Sequence, residues 1–199
     1  VTSITKTNGT FQVATEGHGV LETLAVLVAT GAVPVQLDTP GAQDLLNQGL
    51  GYSATTHAHI VAGKPVAVIG STLRALRGAA ELARSASHVY VVVPSEGELE
   101  TPLGRALRQR PNVEVLEGYH VKSVVGPFNV TALVVERGEE HHRLRVNAAF
   151  VDLGLKPNST LVQHIAQTDA EGFIWVDERY ATTLPGLFAA GDVTTAFGE

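Results

Sequence analysis

The sequence contains no cysteine, which excludes disulfides, thiolate metal sites and thiol catalysis among these residues. It has no methionine either, not even at position 1, and it opens Val1-Thr2-Ser3-Ile4. The expectation is an internal portion of a longer protein. No apolar run approaches the roughly 18 to 20 residues that a membrane-spanning helix needs, and no signal peptide opens the chain, so the expected location is cytoplasmic. There is no basic block and the net charge is −6, which makes nucleic acid and anionic membrane surfaces poor partners. What is there is ordinary for a globular protein: 199 residues, 44% hydrophobic and 17% charged, enough for one good core or two small ones. There is no internal repeat and no low-complexity tract.

The stretch 63–93 organises the rest. Pro65-Val66-Ala67-Val68-Ile69 is a continuous apolar run closed by Gly70. A helical Ala/Leu/Arg/Glu pattern over 75–85 follows, and then the β-branched run His88-Val89-Tyr90-Val91-Val92-Val93. This order predicts strand, tight turn, helix and parallel strand, the first half of a dinucleotide-binding βαβ unit. Such a turn needs a glycine for the reversal, a second so that the backbone can approach the pyrophosphate, and a third small residue for helix packing. Here the three positions hold Gly70, Thr72 and Ala75, so the one that touches phosphate is not met. The second strand ends Val93-Pro94-Ser95-Glu96, with the acid displaced and no Arg or Lys before Arg105. The reading in which this unit is fold alone outweighs nucleotide binding at the turn.

Before this unit, residues 1–4 and 10–15 alternate around the turn Thr7-Asn8-Gly9, and Glu16-Gly17-His18-Gly19 leads to Val20-Leu21-Glu22. These predict a small antiparallel meander. Residues 24–29 read as a fully buried strand ending at Thr30-Gly31, and 42–47 as a short helix. After the unit, 101–110 reads as a helix capped by Thr101 with Pro102 at its first position. Residues 113–116 form a short strand, and 130–135 with 144–151 a hairpin around Arg137-Gly138-Glu139-Glu140. Residues 173–176 and 187–190 are the last strands, and the second of them ends at Gly191-Asp192.

Four segments occur in order: Leu27-Val28-Ala29-Thr30-Gly31-Ala32, Val68-Ile69-Gly70, Gly154-Leu155-Lys156-Pro157-Asn158, and Pro185-Gly186-Leu187-Phe188-Ala189-Ala190-Gly191-Asp192-Val193. Together they resemble the thioredoxin-reductase-like flavoproteins, members of the pyridine nucleotide-disulfide oxidoreductases, along the whole chain. The resemblance implies an α/β fold in which a Rossmann-like nucleotide-binding domain is inserted in a partial FAD-domain β-structure. The flavin-domain pieces would be 1–62 and 152–199 and the NAD(P)-binding-like insert 63–151. It further implies FAD in the intact protein, with Thr30, Gly31, Gly191 and Asp192 as its remaining ligands, the aspartate on the ribityl chain. Gly70, Ser71, Thr72 and Arg74 would form the NAD(P)-like turn, and a homodimer is the default.

Three departures from that family limit the expectation. Where the family carries Cys-Ala-Thr-Cys-Asp, this chain has Ser53-Ala54-Thr55-Thr56-His57, and a hydroxyl cannot exchange with a disulfide. Disulfide reduction by the usual route is excluded and no catalytic residue is assigned, Ser53, Thr56 and His57 standing at the Cys, Cys and Asp positions. Gly70-Ser71-Thr72 and Pro94-Ser95-Glu96 stand where the family has a triple-glycine turn and a His-Arg-Arg segment, and Glu96 would repel the 2′-phosphate of NADPH. The family's own FAD-gripping G-x-G-x-x-G unit would precede Val1, and its last helix would follow Glu199.

Among single features, the eight histidines include the pairs His57/His59 and His141/His142. Neither has a third ligand at a closing spacing, so a solvated surface is expected rather than a metal. Ser53, His57 and Asp192 lack the Gly-x-Ser-x-Gly elbow of a hydrolase. Arg74, at a helix start, could face an anion, although a surface arginine is the simpler reading. Two functions remain open. One is an FAD-dependent oxidoreductase without the dithiol, passing electrons to or from a redox partner protein such as a ferredoxin or a small acceptor. The other is a non-catalytic nucleotide- or protein-binding module that keeps the fold.

Overall fold

Asn8 and Gly9 both take left-handed backbone conformations (φ 52° and 87°), the geometry a two-residue hairpin turn demands. They join β1 (Ser3–Thr7) to β2 (Thr10–Thr15) so that Thr7 lies opposite Thr10. A second turn through Gly17 brings back β3 (Gly19–Thr23), completing the antiparallel meander. Two short strands follow, β4 (Val26–Val28) and β5 (Ala32–Pro34). In this computed structural model the described residues are 1–54 and 58–197. They form two compact units, Val1–Val33 with Leu155–Glu199, and Pro34–Gly154. The expected run 24–29 is shorter and less buried than its composition suggests: only 26–28 is strand, and Leu24 and Leu27 are 77% and 63% exposed.

The central unit holds β6 (Leu50–Gly51), β7 (Pro65–Ile69), α1 (Leu73–Leu82), β8 (His88–Val93), α2 (Pro102–Arg108), β9 (Val113–Glu117), β10 (His120–Val125), β11 (Ala132–Arg137), β12 (Glu140–Arg145) and β13 (Ala148–Val151). Its main sheet is parallel, in the order β6-β13-β7-β8-β9. β7 is buried on both faces, as a central parallel strand must be. Val66 and Val68 meet Ala79 and Leu82 of α1 on one side, while Ala67 and Ile69 face a second core containing Leu133 and Val135 on the other. The antiparallel sheet β10-β11-β12 supplies that second layer.

Three sequence expectations change here. Residues 42–47 form successive turns rather than a helix; left-handed Gly41 and Asn47 bound them, and Ala42 and Leu45 still reach the core. The hairpin pairs Arg137 with Glu140 through a two-residue turn, so it joins β11 to β12, not 130–135 to 144–151. Residues 148–151 are buried throughout and instead pair parallel with β7. Residues 34–62 and 152–154 lie in the compact central unit, because Leu37, Ala42, Leu45 and Leu50 pack into its core and β6 extends its sheet.

The flanking unit is completed by β14 (Leu155–Pro157) and β15 (Leu187–Ala189). β14 pairs with β5, and β15 runs parallel to β4 with Val28 opposite Ala189. The two sequence-distant pieces are thereby stitched by two small sheets over a core of Ile4, Phe11, Val28, Ile174, Leu187 and Val193. Residues 173–176 form no strand: Ile174 makes isolated bridges to Thr168 and Thr194, and Trp175 N donates to Gln167 O at 3.0 Å.

Candidate functional site

In an open parallel sheet the ligand crevice lies at the carboxyl ends of the strands where the strand order reverses. In the central unit that place is between β7 and β13, and the chain fills it with its own groups. Asp152 follows β13 directly and donates its backbone N–H to Ile69 O at 2.8 Å. A Cβ on Gly70 would lie 1.9 Å from Asp152 O, and Gly70 has φ +128°, so this position admits glycine alone. Thr72 caps α1, its Oγ1 accepting from Ala75 N at 3.0 Å, and so satisfies one of the free N–H groups a phosphate would otherwise meet.

Arg74, on the first turn of α1, turns onto Asp152. Its Nε donates to Oδ2 at 2.5 Å and its Nη2 to Oδ1 at 3.0 Å, a bidentate guanidinium–carboxylate pair. The arginine side chain is 45% exposed and the aspartate 9%. Around the pair is a cleft of about 200 Å³ lined also by Tyr52, Ser53 and Gly78. Of the expected turn residues Gly70, Ser71, Thr72 and Arg74, it is Arg74 that shares this cleft with Ser53, and Arg74 engages a carboxylate. Thr56 and His57 lie outside the described residues.

At the end of β8, Glu96 reaches the turn at Gly118, where its Oε1 would stand 3.3 Å from an added Cβ. It lines a pocket of about 410 Å³ with Glu100, Glu117, Arg108, Tyr119 and Arg137. Both arginines are engaged: Arg108 Nη2 with Glu117 Oε2 at 2.5 Å, and Arg137 Nη2 with Glu140 Oε2 at 3.1 Å, its guanidinium 4.7 Å above the Tyr119 ring. Tyr119 Oη donates to the same Glu140 oxygen at 2.7 Å. That bond raises the phenol above its ordinary value, with burial adding to the rise, and holds the Glu140 carboxyl below its own, the Arg137 hydrogen bond adding to it. A 2′-phosphate here would meet Glu96, Glu100 and Glu117 with the nearby cations already paired, so the residues do not fit that group.

The flanking unit brings the other four candidates together. Because Val28 and Ala189 are register partners, Thr30-Gly31 and Gly191-Asp192 leave adjacent parallel strands at their carboxyl ends. Gly31 and Gly191 have φ of +66° and +80° with open space at the Cβ position, and Asp192 is exposed. A ligand can approach this backbone closely, and the residues fit the edge of a flavin site. Asn158, which in the sequence stands out only as part of a motif, fixes the loop: its Nδ2 donates to Thr30 O at 3.0 Å, and Thr30 Oγ1 donates to Asn158 O at 2.6 Å. His141 and His142 are exposed on β12, beside Glu136 and Tyr119 respectively. No group of three metal-ligating side chains occurs among the described residues.

A parallel nucleotide-type sheet whose sequence lies between the two pieces of a second, β-rich unit defines an α/β two-unit scaffold. The model of the pyridine nucleotide-disulphide oxidoreductase family matches residues 1–198, and the chain belongs to that family. It is 34% identical over 197 residues to the F subunit of alkyl hydroperoxide reductase in Staphylococcus aureus, covering 97% of this chain and 39% of that protein. The Staphylococcus epidermidis counterpart is 32% identical over 196 residues, with the same shares of each chain covered. The chain therefore spans well under half the length of these relatives. Among solved structures it is similar to thioredoxin reductase from T. acidophilum (TM-score 0.80, 25% identity, 100% of this chain and 67% of that one). Thioredoxin reductase from Giardia duodenalis, at TM-score 0.82, 22% identity and coverage of 98% and 65%, shares the fold. No helix of the described residues is long and apolar enough to cross a membrane.

Proposed function

We propose that the protein containing this chain is an FAD-dependent oxidoreductase, similar to thioredoxin reductase, that works without a dithiol at 53–57. The observation that supports it is the asymmetry between the two units. The flanking unit keeps Thr30, Gly31, Gly191 and Asp192 at the ends of paired strands, with left-handed glycines that leave room for a ligand. The central unit has Ser53 where a redox thiol would stand and closes its own turn with Thr72 and Arg74. Flavin would supply one- and two-electron transfer, and Thr30, Gly31, Gly191 and Asp192 would hold it, with the aspartate as the acceptor for a ribityl hydroxyl. On this reading 1–62 and 152–199 belong to the flavin domain and 63–151 to the nucleotide-like insert, and electrons pass to or from a redox partner protein or small acceptor. A homodimer in the cytoplasm is part of the proposal.

A second reading, a non-catalytic module that retains the fold, is favoured by the ion pair that fills the central crevice. The visible spectrum of the natural full-length gene product separates the two. A yellow protein with flavin bands that persist through gel filtration supports the oxidoreductase, and a colourless, monodisperse one supports the module.

A further inference from the structure

We infer that Asp152 is the residue that shuts anionic dinucleotides out of the central unit, by placing a buried carboxylate, locked to Arg74, where the pyrophosphate must come. Three observations converge on this point. Asp152 is at the carboxyl end of β13, beside β7, which is the position of the strand-order reversal and therefore of the phosphates in this type of sheet. Its carboxylate is almost wholly buried, so its charge acts through protein rather than through screening water. It accepts from both Nε and a terminal nitrogen of Arg74, and Arg74 is the cation on the first turn of α1, so the charge that would favour a phosphate there is committed to a carboxylate.

The remaining space agrees. About 200 Å³ between Tyr52, Ser53, Arg74, Gly78 and Asp152 is below the roughly 300 to 1,000 Å³ of ordinary ligand pockets. Ala54 closes one side, its Cβ lying 2.8 Å from where a Cβ on Gly78 would be. Thr72 contributes less than Asp152, because a neutral hydroxyl can rotate away from an incoming oxyanion whereas a fixed negative charge cannot. The pair also cannot be undone from the arginine side without leaving a buried, unpaired carboxylate, so relief of the block has to come from position 152.

The test uses the full chain and reads heat of binding, which needs no flavin and no turnover. Inorganic pyrophosphate, NADH and NADPH are titrated into the wild type, Asp152→Asn, Thr72→Gly and the double variant Asp152→Asn/Arg74→Gln. Circular dichroism of the same samples establishes that each is folded, and Asp152→Ser replaces Asp152→Asn should the latter not fold. Expected are no saturable binding to the wild type or to Thr72→Gly, saturable binding of pyrophosphate and NADH by Asp152→Asn at an affinity about tenfold or more above the limit detectable for the wild type, and loss of that binding in the double variant. Saturable NADH or NADPH binding by the wild type that the double variant abolishes would overturn the inference. So would an Asp152→Asn protein as inert as the wild type. A colourless protein would contradict the flavin reading without touching this result.

Discussion

Thr30 and Asn158, 128 positions apart, hold each other by two reciprocal side-chain-to-backbone hydrogen bonds, 2.6 Å from Thr30 Oγ1 to Asn158 O and 3.0 Å from Asn158 Nδ2 to Thr30 O. A third bond, from Asn158 N to Gly31 O at 2.9 Å, ties the same loops. The two pieces of the flanking unit are therefore pinned at the place where the flavin-binding candidates stand. Asn158→Ala removes one of these bonds at an exposed site, with an expected stability loss of about 0.5 kcal/mol, the low end for a hydrogen bond. Because the loop it positions would carry Gly31 against the cofactor, flavin release from the full-length protein on mild heating should accelerate more than unfolding does.

Gly70 is constrained by neighbour and by backbone at once. Gly70→Ala combines strain at φ +128° with a Cβ 1.9 Å from Asp152 O, and about 2 to 6 kcal/mol of destabilisation is expected. Gly63→Ala, at φ +72° with no atom within 4 Å, has strain alone and should cost only about 1 to 2 kcal/mol. Urea midpoints of the two variants check the difference.

Thr72 holds the start of α1. Thr72→Ala leaves the Ala75 N–H without its partner and is expected to destabilise the chain by about 0.5 to 2 kcal/mol, whereas Thr72→Gly should cost only a few tenths. Chemical denaturation of both variants tests the assignment of its hydroxyl to the helix.

The Tyr119–Glu140 hydrogen bond makes stability depend on pH in a defined way. Glu140 is held below its ordinary value, so its contribution is present above the unfolded carboxyl value and is lost as pH falls through the lower folded value. Tyr119 is raised, so its contribution is present below the ordinary phenol value near 10 and is lost as pH rises through the folded one. The melting-temperature difference between the wild type and Tyr119→Phe should be largest between those limits and shrink on both sides. A difference that is flat from acid to alkaline pH would contradict the assignment.

Much of the fold is legible in the residues because local chemistry decides it. The strands at 65–69 and 88–93 and the Pro102 helix follow from apolar runs and caps, and the meander from Asn8-Gly9. What long-range pairing decides is not legible. Residues 148–151 fit a hairpin or a central strand equally well by composition, and only their insertion beside β7 distinguishes them. Leu24 and Leu27 read as buried on hydrophobicity, yet Leu24 lies in the bend before β4 and Leu27 is on the uncovered face of a two-stranded sheet. At the site, Thr72 and Glu96 are visible as departures from a motif. Asp152 is not, because its meaning arises from a partner 78 positions away; the only signal is an acid immediately after an all-apolar strand. In the sequence Arg137 reads only as a turn residue, and Arg108 only as part of a capped helix, because both reach the Glu96 pocket from other elements.

A flavoprotein with this central unit should receive its electrons from something other than a pyridine nucleotide. Anaerobic titration of the natural full-length protein with NADH and then NADPH, followed by its visible spectrum, puts that to the test. The expected result is flavin absorbance that neither nucleotide bleaches and that dithionite does. Bleaching by stoichiometric NADH or NADPH, or a protein without flavin, would contradict it.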